Sequence, residues 1–362
     1  MQIKHKNVWK GGLKMKKFDY SFLDSCLLPA NLINFTGTIY ALKTGTRIRK
    51  DKYERIFTEL EKIAIIQSVK SSNAIEGIVT SDERIEEIVN QNSEPLNHNE
   101  NEIAGYKDAL NEIHLHYNDI EFNENSILRL HEIMMNYTGN EDAGRYKTNN
   151  NYIIEEDNKG NKKIRFKPLD AKETPGAMEQ LLLAYHDACN NSNINQLLLI
   201  PCVILDFLCI HPFRDGNGRM SRLLTILLLY KNGFDVGKYI SFEEQINNNK
   251  ASYYEALRLS SINWEENKHS YIPFIENFIV TLYMCYKELD KRFSVVNSNK
   301  ITKKARIEAT VLNNLTPISK AEICNILPDV SATTVEAVLG KMVKESKVLI
   351  IGSGRNTKYI RK

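Results

Sequence analysis

No apolar run of about 18 residues occurs in the 362-residue sequence, so no membrane-spanning helix is expected. The basic N-terminus lacks the apolar stretch of a secretory signal, and a cytoplasmic location is expected. Met15-Lys16-Lys17 offers an alternative start, so residues 1–14 are set aside from the fold reading. An excess of one charge sign is lacking too. Forty-eight Lys and Arg against 45 Asp and Glu leave +3, too little for nucleic-acid affinity spread over the whole chain. The six cysteines, Cys26, Cys189, Cys202, Cys209, Cys285 and Cys324, contain no C-x-x-C pair. They are expected to be buried free thiols in a reducing compartment, with Cys202 and Cys209 on one helix face. Zinc chemistry fails on the histidines as well. His131-Glu132 is followed by Ile133-Met134-Met135, so H-E-x-x-H is not completed. His114 and His116, two apart, point to different faces of a helix. No internal repeat is visible.

What is present is a composition 42% hydrophobic and 26% charged, ordinary for a globular chain and ample for a large core in two or three domains. Most of residues 20–290 carries helical periodicity. Tyr53, Ile56, Phe57, Leu60, Ile63 and Ile66 define one amphipathic helix, which runs towards Ser72-Asn73-Ala74-Ile75-Glu76-Gly77, where Gly77 is a natural C-cap. Further helices are expected near 99–117, 124–136, 174–189, 195–210, 217–231, 248–261 and 271–292. Between Tyr152-Ile153-Ile154 and Ile164-Arg165-Phe166, Lys-Gly-Asn turn chemistry predicts a β-hairpin within 144–168. Beyond a compositional shift near 293–304, Lys303–Leu312, Lys320–Ile326 and Ser331–Lys344 read as short helices. Lys347–Ile351 and Lys358–Ile360 then read as two strands, so the whole segment suggests a winged helix. Residues 301–362 hold 11 Lys and Arg against 5 Asp and Glu, a net +6.

One stretch carries chemistry: His211-Pro212-Phe213-Arg214-Asp215-Gly216-Asn217-Gly218-Arg219-Met220-Ser221-Arg222. It lies between two apolar helical runs, one ending at Ile210 and one entered at Asn217. Gly216 and Gly218 let backbone approach a ligand closely. The following helix presents unpaired N–H groups and the positive end of its dipole, a phosphate site. Arg219 and Arg222, three apart, are expected on one face beside it, which suits a polyphosphate. Asp215 offers a hard oxygen ligand for Mg²⁺. His211 is a titratable base at the loop's entrance. A base, a metal carboxylate, an anion seat and two cations describe phosphoryl or nucleotidyl transfer.

The run matches H-x-F-x-[DE]-G-N-G-R-x-x-R at every defined position, and over residues 50–290 the chain resembles the Fic family of AMP-transferring enzymes. The resemblance implies a mainly α fold: a Fic-type helical bundle with a β-hairpin flap, followed by a C-terminal winged-helix domain. It implies ATP and Mg²⁺ as cofactors. His211 would deprotonate a target hydroxyl, and Asp215 would hold Mg²⁺. Gly216, Asn217 and Gly218 would form the anion hole, Arg219 and Arg222 would hold the outer phosphates, and Phe213 would pack inward to set the loop. The hairpin resembles the flap that aligns a target segment by main-chain pairing. Leu130-His131-Glu132 and Gly144-Arg145-Tyr146-Lys147 resemble the approach to it, with Lys147 where the family more often has Arg. Tyr253-Tyr254 resembles a tyrosine pair near the adenine pocket; core packing explains it equally well.

Ser72-Asn73-Ala74-Ile75-Glu76-Gly77 resembles the family's inhibitory motif, [ST]-x-x-x-E-[GN]. Ser72 and Glu76 share a helix face. The resemblance implies a Glu76–Arg222 pair that competes with the γ-phosphate. The organisation expected is an N-terminal region over 1–50, an inhibitory-helix region over 51–98, a catalytic domain over 99–292, a linker over 293–302 and a winged-helix-like domain over 303–362. The expected partner is a protein substrate, the chain itself included, carrying a Ser, Thr or Tyr hydroxyl. Homodimer formation, and UMP or GMP in place of AMP, stay open. So does DNA binding by the C-terminal domain, although its candidate recognition helix offers only Lys341 and Lys344, both towards the C-terminal end. The Asn- and Lys-rich composition points to an AT-rich bacterial genome.

Overall fold

The apolar periodicities fold as helices throughout the computed structural model, which describes residues 16–156, 162–297, 302–312, 314, 317–327, 330–354 and 357–362. The first half contains α1 (Ala30–Lys52), α2 (Glu54–Ile75), α3 (Asp82–Asn90), α4 (His98–His116) and α5 (Glu124–Met135). The hairpin β1 (Ile153–Glu156) and β2 (Lys162–Phe166) follows. Then come α6 (Thr174–Cys189), α7 (Gln196–Ile210), α8 (Asn217–Lys231), α9 (Phe242–Asn248), α10 (Lys250–Ser261) and α11 (Ile272–Asn297). The C-terminal part holds α12 (Lys303–Leu312), β3 (Ile318–Ser319), α13 (Lys320–Ile326), α14 (Ala332–Lys344), β4 (Val348–Ile351) and β5 (Lys358–Arg361). The fold is mainly α, as expected.

The chain divides into two compact units. The first comprises the residues up to Thr36, Ile65–Asp235 and Phe242–Thr281. At its centre lies α7, in which every side chain from Leu197 to Ile210 is buried. A helix apolar all round belongs in the interior, and each fully buried Leu or Ile there contributes about 1.5–3 kcal/mol. The helices α6 and α8 pack on α7, and α4 packs on both α5 and α8. The one charge on α7, Asp206, is wholly buried but accepts bonds from the Tyr20 and Tyr271 hydroxyls at 2.8 Å and from the Trp264 indole at 2.6 Å. Lys16 lies 3.9 Å from it. These partners offset the cost of burying a carboxylate and tie residues 16–24 to the core. The hairpin pairs Ile154 with Ile164 in antiparallel register, with an irregularity between Ile153 and Ile154. Its turn chemistry, at residues 157–161, lies outside the described residues.

The second unit comprises Gly37–Ala64, Val236–Ser241 and Leu282–Lys362. Phe57 stacks on Phe293 with ring centroids 4.9 Å apart and meets Tyr239 edge-on. Arg49 pairs with Asp290 at 2.7 Å. The helices α12, α13 and α14 enclose a separate core that includes Ile307, Ile323, Leu339 and Met342. Beside them β3, β5 and β4 form an antiparallel sheet in that order. Ser319 caps α13 through a reciprocal bond with Glu322. Helix α11 runs on through Asn297, into the stretch expected to be a linker, because Phe293 gives its last turns an aromatic partner. Residues 298–301 lie outside the described residues. Of the cysteines, only Cys202, Cys209 and Cys285 are buried; Cys189 is exposed, which departs from the expected burial of all six.

Candidate active site

Helix α7 stops at His211, whose backbone turns left-handed (φ 53, ψ 61) ahead of Pro212. The residue before a proline is driven out of the right-handed helical region, which gives the helix a hard end. The loop then runs to Gly216, the N-cap of α8, at φ +77. Glycine is favoured there by the backbone. The conformation is left-handed, and a Cβ would come within 2.6 Å of the Met134 methyl. Asn217 closes the loop on itself: its Oδ1 accepts from the Phe213 amide at 2.9 Å and its Nδ2 donates to the Phe213 carbonyl at 2.8 Å. Its side chain is therefore committed to the loop, and only its backbone N–H is left to face a phosphate.

Phe213 is fully buried and lies flat on His131, with ring centroids 3.7 Å apart and planes 4° apart. His131 Nδ1 accepts from the Gly144 amide at 3.0 Å, so the proton sits on Nε2, which reaches the Asp215 carbonyl at 3.2 Å. Burial pushes this imidazole down to about 4. His131 thus fixes the loop from α5 while the Asp215 carboxylate stays largely exposed. The Asp215 Oδ1 accepts from the Gly216 amide at 2.6 Å.

His211 Nδ1 lies 3.3 Å from the Leu208 carbonyl. A carbonyl only accepts, so Nδ1 carries the proton and Nε2 keeps its lone pair. Burial pushes the imidazole down to about 4, and Lys147 adds to that, against the Leu208 bond and the carboxylates of Glu76 and Asp215. The ring is neutral at pH 7, with a basic nitrogen.

The two motif arginines have different surroundings. Arg219, 2% exposed, forms an ion pair with the buried Glu102 of α4 and lies 3.9 Å from Asp215. Its guanidinium faces protein carboxylates, and its Nε has no hydrogen-bond partner among the described residues. Arg222 is held differently. Its Nε donates to Ser72 Oγ at 2.8 Å, and its Nη2 reaches the Ser72 carbonyl at 2.8 Å and Glu76 Oε1 at 2.9 Å. Helix α2 presents Ser72 and Glu76 together because Gly77, at φ +82, closes its last turn through the Ile78 amide and the Asn73 carbonyl. The Glu76 carboxylate also lies against Gly218, where a Cβ would collide with it. It therefore sits at the N-terminus of α8, where a phosphate is favoured.

Tyr254 stands at the edge of the site on α10. Arg165 of β2 donates to its carbonyl at 2.9 Å, and the guanidinium lies 5.3 Å from its ring. Tyr253 is buried beneath it. From the same helix, Lys250 donates to the Ile75 carbonyl at 2.6 Å, beside Glu76. Among the described residues no three His, Cys, Asp or Glu side chains could together hold a metal ion. Asp215 alone fits Mg²⁺ of the kind carried chiefly by substrate phosphates and water. Glu102 and Lys250 had no role in the sequence reading, and His131 and Lys147 entered it only through their resemblance to the family's approach to the flap.

Residues 121–229 match the model of the Fic/DOC family. A Fido domain-containing protein of Dictyostelium discoideum is 39% identical over 62 residues, 17% of this chain and 39% of that protein. The chain thus spans well under half of the length of that relative. The structure of a Fic family protein from Desulfovibrio desulfuricans is similar at a TM-score of 0.60 and 18% identity, over 93% of this chain and 97% of that one. That of a Fic domain-containing signaling protein from Bacteroides thetaiotaomicron reaches 0.58 at 18% identity, over 72% and 97%. Fic-1 of C. elegans, residues 134–508, reaches 0.54 at 18% identity, over 72% and 74%. At this identity the likeness is one of fold.

Proposed function

The chain carries a Fic/DOC family domain over residues 121–229, and on that premise we propose that it is a protein adenylyltransferase held in check by Glu76. One observation carries the reading. A neutral imidazole, His211, stands at one end of a glycine-lined loop, and a carboxylate bound to Arg222 fills the anion seat at the other.

In the reaction, the target hydroxyl gives its proton to His211 Nε2 as its oxygen attacks the α-phosphorus of ATP, and pyrophosphate leaves. The α8 N-terminus meets the phosphates with backbone N–H groups, and Arg222 meets the γ-phosphate. When bound, Mg²⁺ neutralises phosphate charge, and Asp215 would hold it. The hairpin offers main-chain groups to an extended target segment. In the resting state Glu76 holds Arg222, so ATP binds without its γ-phosphate in the productive place.

The test is incubation of parent and Glu76→Gly protein with labelled ATP, Mg²⁺ and a cell lysate. The reading expects the variant to label itself or a lysate protein more strongly than the parent. A label that enters neither would refute it. Mass spectrometry of the adduct separates AMP from another nucleotide.

A further inference from the structure

We propose that Lys147 is a positioning residue for His211: with Asn151 it grips the three carbonyls that bracket the imidazole and holds the histidine in its left-handed backbone conformation. The inference rests on the reading of His211 as the base.

His211 is a non-glycine residue at φ 53, a conformation that costs about 1–2 kcal/mol unless its surroundings impose it. Its own bonds are few, an amide to the Phe207 carbonyl at 2.9 Å and the ring bond to Leu208. The carbonyls on either side are held from outside. The Lys147 amide donates to the Pro212 carbonyl at 2.8 Å, and its ammonium donates to the Ile210 carbonyl at 3.1 Å. The Asn151 Nδ2 donates to the Phe213 carbonyl at 3.0 Å, while its Oδ1 accepts from the Lys147 ammonium at 2.9 Å. Carbonyls 210, 212 and 213 are thus all gripped by the short segment 147–151. Rotation of the peptide ahead of residue 211 would break the Ile210 bond, and a shift of Pro212 or Phe213 would break the other two, so the backbone on both sides of the imidazole is tied down.

The choice of an ammonium is informative. Lys147 is 4% exposed and has no carboxylate within ion-pairing distance among the described residues. Burial pushes it down to about 8, against the more distant Asp170. A neutral donor would brace the loop without that desolvation cost. The charged groups that bear on His211 are Lys147, Glu76 and Asp215; of these, only Lys147 opposes its protonation. The same side chain therefore aims the imidazole and keeps it unprotonated.

The experiment compares Lys147→Met and Asn151→Ala in the Glu76→Gly background, with His211→Ala to assign its ring resonance. In folded Lys147→Met protein, kcat is expected to fall about a hundredfold with KM for ATP little changed, as for a misplaced catalytic group. By NMR, the His211 ring is expected to titrate above its starting value of about 4. Asn151→Ala should lower kcat while leaving the ring titration in place, since it removes no charge. An inactive Glu76→Gly parent refutes the transferase reading, while the ring titration still reads the clamp. Folded Lys147→Met protein with unchanged kcat and unchanged His211 titration overturns the proposal. If Lys147→Met does not fold, undiminished kcat in Asn151→Ala overturns it.

Discussion

Replacing Glu76 with Gly tests the proposed competition for Arg222. In the parent, Glu76 Oε1 lies 2.9 Å from Arg222 Nη2, with Arg222 2% and Glu76 32% exposed. An exposed pair contributes about 0–1 kcal/mol, and removing one partner of a fully buried pair costs about 3–5 kcal/mol. Because Glu76 is a third exposed and Arg222 keeps both bonds to Ser72, the loss is set at about 1–2 kcal/mol. On the proposed reading, ATP must overcome the same amount to seat its γ-phosphate on Arg222. Removal of Glu76 should therefore raise the initial rate of transfer about 5–30-fold at subsaturating ATP. The assay is incorporation of α-labelled AMP into protein, paired with thermal unfolding in the presence and absence of ATP and Mg²⁺. The unliganded variant should melt below the parent, and its gain on adding ATP should exceed the parent's. Equal rates and equal ATP-induced gains would refute the competition.

Three further outcomes follow from the site. His211→Ala should abolish transfer while ATP still raises the melting temperature, because the imidazole acts on the hydroxyl and not on the phosphates; transfer at the parental rate would refute its role as base. His131, 1% exposed, takes its proton near pH 6.5 when unfolded but only at about 4 when folded, so its share of stability, up to about 3 kcal/mol, is present above 6.5 and lost as pH falls towards 4. Urea unfolding midpoints should accordingly fall over that window more steeply in the parent than in His131→Gln, and parallel curves would contradict this. Gly216→Ala should lower stability by about 1–2 kcal/mol from the left-handed backbone alone, before the clash with Met134, as read by thermal unfolding; an unchanged melting temperature would contradict the loop geometry.

How much of this was legible in the sequence depends on how far apart the cooperating residues lie. The loop from His211 to Arg222 is contiguous, so its spacing alone placed an imidazole, a carboxylate and glycines around a helix start. Ser72 and Glu76 were legible as a pair because one helical turn joins them. His131 and Lys147 were legible only as parts of the flap approach; their contacts with the loop were not, because each works across the fold. His131 meets Asp215 from 84 residues away, and Lys147 meets Ile210 from 63. Arg219 marks a limit of helical spacing. Three residues from Arg222, it shares a face with it, yet a buried acid on α4 draws its guanidinium aside. Helix α1 escaped notice because its deeply buried positions, Leu32, Ile39 and Thr46, recur only every seventh residue, and one of them is polar.

The account stands on His211 as the proton acceptor for transfer at the α8 phosphate seat. Mass spectrometry of Glu76→Gly protein and of the Glu76→Gly, His211→Ala double variant, each incubated with ATP and Mg²⁺ and a candidate target, tests this most directly. The account predicts an AMP adduct in the first and none in the second. The same adduct in both, or none in either, would contradict it.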